Sequence, residues 1–344
     1  MKNKFNIVQV GLGPMGKLIT RLILQRENLS LEGVVDIDPT LLGKNLSQIL
    51  DDEKGNNLII ESDLKRLLAN KNIDVTIIST SSSLEKVAPL IIQAVKSGSN
   101  VISICEELSY PYKYYPKLSN ELNALAISNN VTIVGTGINP GYLMDLLPIV
   151  ITAPCQSVKS IKVTRMMNSA KRRAPFQLKI GTGLRKEEFH EKISKKEITG
   201  HVGLTQSIQM ICDALGFEYD EIKEFPPEAI LTDKDFSTSY GEKVPKGNVC
   251  GLRSKAVAKK ENITLIILDF VAYAGEHEEY DSIEIEGTPN IYQKIIGGVH
   301  GDLGTSAMVA NLIPIVTKAT SGLVSMKDLP VPYNTEKIWK EYGN

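Results

Sequence analysis

Gly11-Leu12-Gly13-Pro14-Met15-Gly16 follows a strand candidate, Phe5 to Val10, and opens a segment in which Leu18, Ile19, Leu22 and Ile23 recur at helical spacing. A strand, a Gly-x-Gly-x-x-Gly turn and a helix in that order form the phosphate-binding unit of a dinucleotide fold. The first glycine permits the tight turn, the second lets the backbone approach a pyrophosphate, and the third allows close packing of helix on strand. The helix start adds unpaired N–H groups and a partial positive charge. Gly11, Gly13, Pro14, Met15 and Gly16 are therefore candidate cofactor-binding residues. About 20 residues further on, Val34-Val35 ends in Asp36, placed to accept hydrogen bonds from ribose hydroxyls. That acid favours NAD, whereas Lys44 could serve a 2'-phosphate, so NAD and NADP both stay open.

The pattern continues outward from this unit. Phe5 to Gly11, Leu31 to Ile37, Val75 to Thr80, Asn100 to Ile104 and Val131 to Gly135 read as strands. They alternate with helical segments at Met15 to Gln25, Leu64 to Ala69, Leu84 to Ser97 and Pro116 to Asn129. Strands apolar almost throughout belong in a sheet covered on both faces, here a doubly wound parallel sheet. Past Pro154 the runs Val158 to Met166, Ile263 to Tyr273 and Tyr280 to Ile285 predict a second, α+β domain with a mixed or antiparallel sheet. Glu187 to Leu215 contains a helical stretch, and Asp302 to Thr320 predicts a last long helix. The expected division is a Rossmann domain over residues 1–150, completed by 302–344, and a substrate and dimerisation domain over 151–301.

A chain of 344 residues fits two domains of ordinary size. Its net charge of −1 gives no cause to expect nucleic acid or an anionic membrane surface as a partner. The longest apolar stretch, Leu143 to Ala153, contains Pro148 and falls well short of the roughly 20 residues a spanning helix needs. Cys105, Cys155, Cys212 and Cys250 are widely separated, which argues for a reducing, cytoplasmic setting and against a zinc site. No metal is expected.

Cys105-Glu106-Glu107-Leu108 follows the fifth strand, at the sheet edge where a nicotinamide would lie. Two adjacent acids there are candidate general bases, Glu107 ahead of Glu106. Oxidising an amine needs a base to take a proton from the ammonium and a base to activate water against the imine, and one carboxylate serves both steps. Alcohol chemistry more readily uses a lysine, which is absent here. Ser79, Thr80 and Ser81 end another strand and either touch cofactor or cap the next helix. Gly135 to Gly141 follows the last strand of the first domain, with Asn139 either capping a helix or lying in a cleft segment whose backbone groups meet the nicotinamide amide. Arg165, Arg172 and Arg173 lie on and just after the first strand of the second domain, where an arginine fork could hold a carboxylate; for Arg172 and Arg173 a solvated edge is the rival. Met144 and His300, the latter among glycines before the last helix and either in the cleft or part of a simple helix-entry turn, complete the substrate candidates. His277 reads as part of a solvated turn.

Taken together, Gly11 to Gly16, Val35-Asp36-Ile37-Asp38-Pro39, Cys105 to Leu108, Gly137-Ile138-Asn139-Pro140-Gly141 and Gly298-Val299-His300-Gly301-Asp302 resemble the 2,4-diaminopentanoate dehydrogenase family, over nearly the whole chain. That family stands near dihydrodipicolinate reductase and includes native amine dehydrogenases. The resemblance implies reversible NAD(P)-linked oxidative deamination of 2,4-diaminopentanoate to 2-amino-4-oxopentanoate and ammonia, with Glu107 or Glu106 as acid/base, and homodimers formed through the second sheet. A broad amine dehydrogenase acting on simple ketones, another imine or carbonyl reductase, and a non-catalytic NAD sensor are the alternatives.

Overall fold

The computed structural model describes residues 3–55, 57–69, 71–171, 174–274 and 278–340. Arg172, Arg173 and His277 lie outside the described residues. The chain divides into two compact units, Met1–Tyr142 with His300–Asn344, and Leu143–Val299.

In the first unit, β1 (Phe5–Val10), β2 (Leu29–Val35), β3 (Ile60–Glu61), β4 (Val75–Ile78), β5 (Asn100–Ser103) and β6 (Thr132–Gly135) join Gly322–Val324 in one sheet. Its order is Gly322–Val324, β6, β5, β4, β1, β2, β3, and every pairing is parallel. The chain moves outward from β1 through β2 and β3, then crosses back to β4 and continues the other way. Winding reverses between β1 and β4, and ligands of doubly wound sheets sit at the carboxyl ends of strands at that point. The helix Pro14–Gln25 starts with Pro14 in the first turn and buries Gly16, Ile19, Thr20 and Ile23. It packs with the helix Gly301–Val316, which is apolar along most of its length.

The second unit contains β7 (Ser157–Asn168), β8 (Glu221–Glu224), β9 (Glu228–Leu231), β10 (Phe236–Ser237), β11 (Lys243–Val244), β12 (Val249–Lys260), β13 (Ile263–Tyr273), β14 (Tyr280–Thr288) and β15 (Ile291–Ile296). The main sheet runs β15, β14, β7, β13, β12, β8, with β9 also on β12. Its pairings are antiparallel except β13 with β7, so the sheet is mixed. β12, unread in the sequence, has Lys255, Lys259 and Lys260 breaking its apolar alternation, and its Gly251 lies against β13 so closely that a Cβ would come within 2.2 Å of the Ala272 carbonyl oxygen. The helical stretch in Glu187 to Leu215 is two helices, Lys186–Ser194 and Leu204–Leu215. Gly200 and Gly203, with φ of 67° and 105°, turn the chain between them. The short helix Leu146–Ile151 belongs to this unit, where the sequence reading carried the first domain to residue 150. Its cap explains why: Asp145 is fully buried, accepts from the Leu146 N–H at 2.7 Å, and accepts from the Ser207 hydroxyl at 2.8 Å. Among the described residues no helix is long and apolar enough to cross a membrane.

Candidate active site

The glycine turn is held from below by a residue the sequence reading passed over. Gln9, wholly buried in β1, donates from its amide nitrogen to the Val10 and Gly11 carbonyls at 3.1 and 2.9 Å and to the Ser79 hydroxyl at 2.7 Å. Ser79 donates in turn to the Gly11 carbonyl at 3.1 Å, so the turn after β1 and the end of β4 form one hydrogen-bonded unit. The strand carries two amides, Asn6 and Gln9, and sequence alone does not tell which of them is buried. Ser79 thus supports the turn, and Thr80 stands against Gly11. Ser81 makes a local turn by accepting from the Ser83 N–H at 3.1 Å.

The three glycines differ. A Cβ on Gly16 would fall 1.9 Å from the Gly11 carbonyl oxygen, and one on Gly11, at φ 91°, would meet Ser79 and Thr80 at 2.9 Å. A Cβ on Gly13 meets nothing within 4 Å. Gly11 and Gly16 are required by the protein itself, whereas at Gly13 open space lies beside the helix start, as a pyrophosphate cradle requires. Asp36 accepts from the Leu12 N–H at 2.6 Å and from the Asp38 N–H at 2.9 Å, one on each carboxylate oxygen. Each oxygen retains a second acceptor site for ribose hydroxyls. The Thr40 hydroxyl and N–H, both bound to Asp38, hold that acid below the ordinary carboxylate range. Ile37, between the two acids, is 83% exposed, an apolar side chain left in solvent beside the ribose position.

Asn139 does not cap a helix. The helix after it begins at Leu146, under the Asp145 cap. Both the amide nitrogen and the amide oxygen of Asn139 are buried and, among the described residues, without a hydrogen-bond partner. A buried amide with neither end satisfied costs free energy, which a carboxamide lying against it would recover through a reciprocal pair of hydrogen bonds. This orphaned amide and the open cradle at Gly13 both fit a nicotinamide dinucleotide. Thr305, from the last helix, ties the same loop by accepting from the Ile138 N–H at 3.3 Å.

The acidic pair occupies a 3-10 turn, Glu106–Leu108, directly after β5. Its two members are treated differently. Glu107 turns one oxygen, Oε2, to the start of the helix Leu84–Lys96, where it accepts from the Leu84 N–H at 2.7 Å, and to the Tyr115 hydroxyl, from which it accepts at 2.8 Å. Its Oε1 has no partner among the described residues, and neither carboxylate oxygen of Glu106 has one. Burial pushes the neighbouring Cys105 thiol up to about 12, which keeps it protonated and chemically quiet.

In the second unit, Arg165 is 2% exposed. Its guanidinium pairs with Asp281 at 3.2 Å and donates to the Val299 carbonyl at 2.6 Å. This fork, expected from the sequence to hold a substrate carboxylate, is committed to the protein's own groups, because a cation inside a sheet needs a partner there. Met144, 1% exposed, packs with Leu143, Leu147 and Val163 around a small apolar cavity that Asp281 also borders. His300 is exposed and caps the last helix, its Nδ1 accepting from the Leu303 N–H at 3.4 Å.

The family model for the 2,4-diaminopentanoate dehydrogenase C-terminal domain matches residues 142–342. The 2,4-diaminopentanoate dehydrogenase of Acetoanaerobium sticklandii is 34% identical over 336 residues, covering 96% of this chain and 94% of that protein. The structure of an amine dehydrogenase from Mycobacterium smegmatis shares the fold with a TM-score of 0.81 at 20% identity, over 95% of this chain and 96% of that one. GenD2 from gentamicin A biosynthesis, solved in complex with NAD, aligns with a TM-score of 0.50 at 15% identity, over 86% of this chain and 73% of that one.

Proposed function

The chain belongs to the 2,4-diaminopentanoate dehydrogenase family, and from that premise we propose that it catalyses NAD(P)-linked oxidative deamination of a small amine, 2,4-diaminopentanoate first among them. The observation that carries the reading is the Glu107 carboxylate after β5, one oxygen anchored and the other open, on the sheet edge that also bears the glycine turn.

The nicotinamide ring, when bound, supplies the acceptor for the hydride. Gly11 to Gly16 and Asp36 would hold the dinucleotide, with Ile37 beside its adenosine end and Asn139 available to its carboxamide. Glu107 takes a proton from the substrate ammonium, which frees the nitrogen lone pair to expel hydride from the adjacent carbon. Once it has released that proton to solvent, the same carboxylate removes a proton from water as the water adds to the imine, and it gives this second proton to the departing nitrogen. The C–N bond breaks, ammonia leaves, and a carbonyl remains. With Arg165 committed elsewhere, the substrate carboxylate is assigned to Arg172 and Arg173, on sequence grounds. The two acids at the ribose position, Asp36 and the ionised Asp38, disfavour a 2'-phosphate and make NAD the preferred form.

The test is NADH and NADPH formation by the purified protein with 2,4-diaminopentanoate, ornithine, simple alkylamines and matched hydroxy acids. Selective turnover of the diamine is expected, and Glu107→Gln should lower kcat by about a hundred- to ten-thousand-fold. Turnover of alkylamines alone would make it a general amine dehydrogenase. Retained activity in Glu107→Gln together with loss in Glu106→Gln would move the base by one residue.

A further inference from the structure

The geometry points to Tyr115 as the positioning residue of the catalytic carboxylate: its hydroxyl and the Leu84 N–H fix Oε2 of Glu107, so that Oε1 alone is presented to substrate. The inference rests on the assignment of Glu107 as the base. A glutamate with three free side-chain torsions samples many orientations, and proton transfer requires one of them. Two donors on the same oxygen, at 2.7 and 2.8 Å, remove that freedom while leaving the second oxygen unbonded.

The donor is itself held rigidly. The Tyr115 ring packs against the core of the first unit, and its backbone N–H donates to the Pro111 carbonyl at 2.8 Å. The loop that carries it is pinned by Tyr112, whose hydroxyl donates to the Leu323 carbonyl at 3.0 Å and whose ring meets Tyr110 edge-on at 5.0 Å. Burial and then the Glu107 carboxylate, with Glu85 and Cys105 adding to the same effect, push the Tyr115 phenol up to about 12. It therefore stays a donor through the whole neutral range. Glu106, the remaining acid of the turn, makes no bond to either group.

Steady-state kinetics of Tyr115→Phe with NAD+ and 2,4-diaminopentanoate test this. The substitution deletes one hydrogen bond to a charged group and nothing of the ring. We expect kcat to fall about ten- to a hundred-fold, with the KM for NAD+ and the thermal midpoint unchanged. In a Glu107→Gln background the same change should have no further effect on residual turnover, because groups that act as one unit are not additive. Wild-type kcat in Tyr115→Phe, a loss that adds fully to that of Glu107→Gln, or a loss matched by a lower thermal midpoint would each overturn the positioning role. If Glu107→Gln itself retained full activity, the base assignment would fail instead, so the two failures are distinguishable.

Discussion

A methyl group at position 13 and one at position 16 should fail in different ways. Gly16→Ala drives a Cβ into the Gly11 carbonyl, and that carbonyl cannot move without giving up its bonds from Gln9 and Ser79. We expect a stability loss of at least about 1–3 kcal/mol, read as a lower thermal midpoint. Gly13→Ala finds no protein atom in its way and a backbone φ of −59° that alanine accepts. It should keep the wild-type midpoint and lose affinity for NADH, measured by fluorescence titration. Equal destabilisation in both would show that the space beside Gly13 is structural. The three glycines were legible in sequence because their spacing, between a strand and a helix, identifies them. Gln9 and Tyr115 were not, since an amide in a strand and one tyrosine among several carry no period, and only packing shows which oxygen each one reaches.

At the scale of elements, the pairing of β7 with β14 sets Arg165 directly opposite Asp281. Burial raises the Asp281 carboxyl above its ordinary value, while Arg165 and the Val299 N–H pull it back down. A carboxyl whose folded pKa lies above its unfolded value binds its proton more tightly in the folded chain. Its contribution to stability is therefore greatest at acid pH and declines as pH rises through that window, beginning at about 4. Arg165→Met should leave Asp281 buried and unpaired, at a cost of about 3–5 kcal/mol. The stability gap between wild type and Asp281→Asn should narrow as pH is raised from about 4 towards neutrality. Urea unfolding at several pH values measures both, and a gap that widened instead would show that the ion pair outweighs burial. The helix Leu84–Lys96 makes a similar point about reach. Its serine-rich approach reads as self-capping, yet the Leu84 N–H goes to Glu107, 23 positions along the chain.

For the whole molecule, a ligand that binds only the folded state raises the unfolding midpoint by mass action, about 2.7 kcal/mol at a hundred times its Kd. NADH should raise it more than NADPH at equal concentration, and Asp36→Ser should narrow that difference by removing one of the two acids from the ribose position. A larger shift with NADPH in the wild-type protein would overturn the cofactor preference. The sequence by itself determined the doubly wound sheet, the glycine turn with its following acid, the paired glutamates at a strand end and the family. Each of these is local: strand and helix periods, turn glycines and strand-end positions are written within a few residues of one another. Tertiary structure alone decided what those residues touch. It closed Arg165 onto Asp281, left the Asn139 amide without partners among the described residues, and gave one oxygen of Glu107 to a tyrosine and a helix start while leaving the other open. Hydrogen bonds and burial join residues far apart in sequence, and no spacing rule within one segment encodes a partner supplied by another.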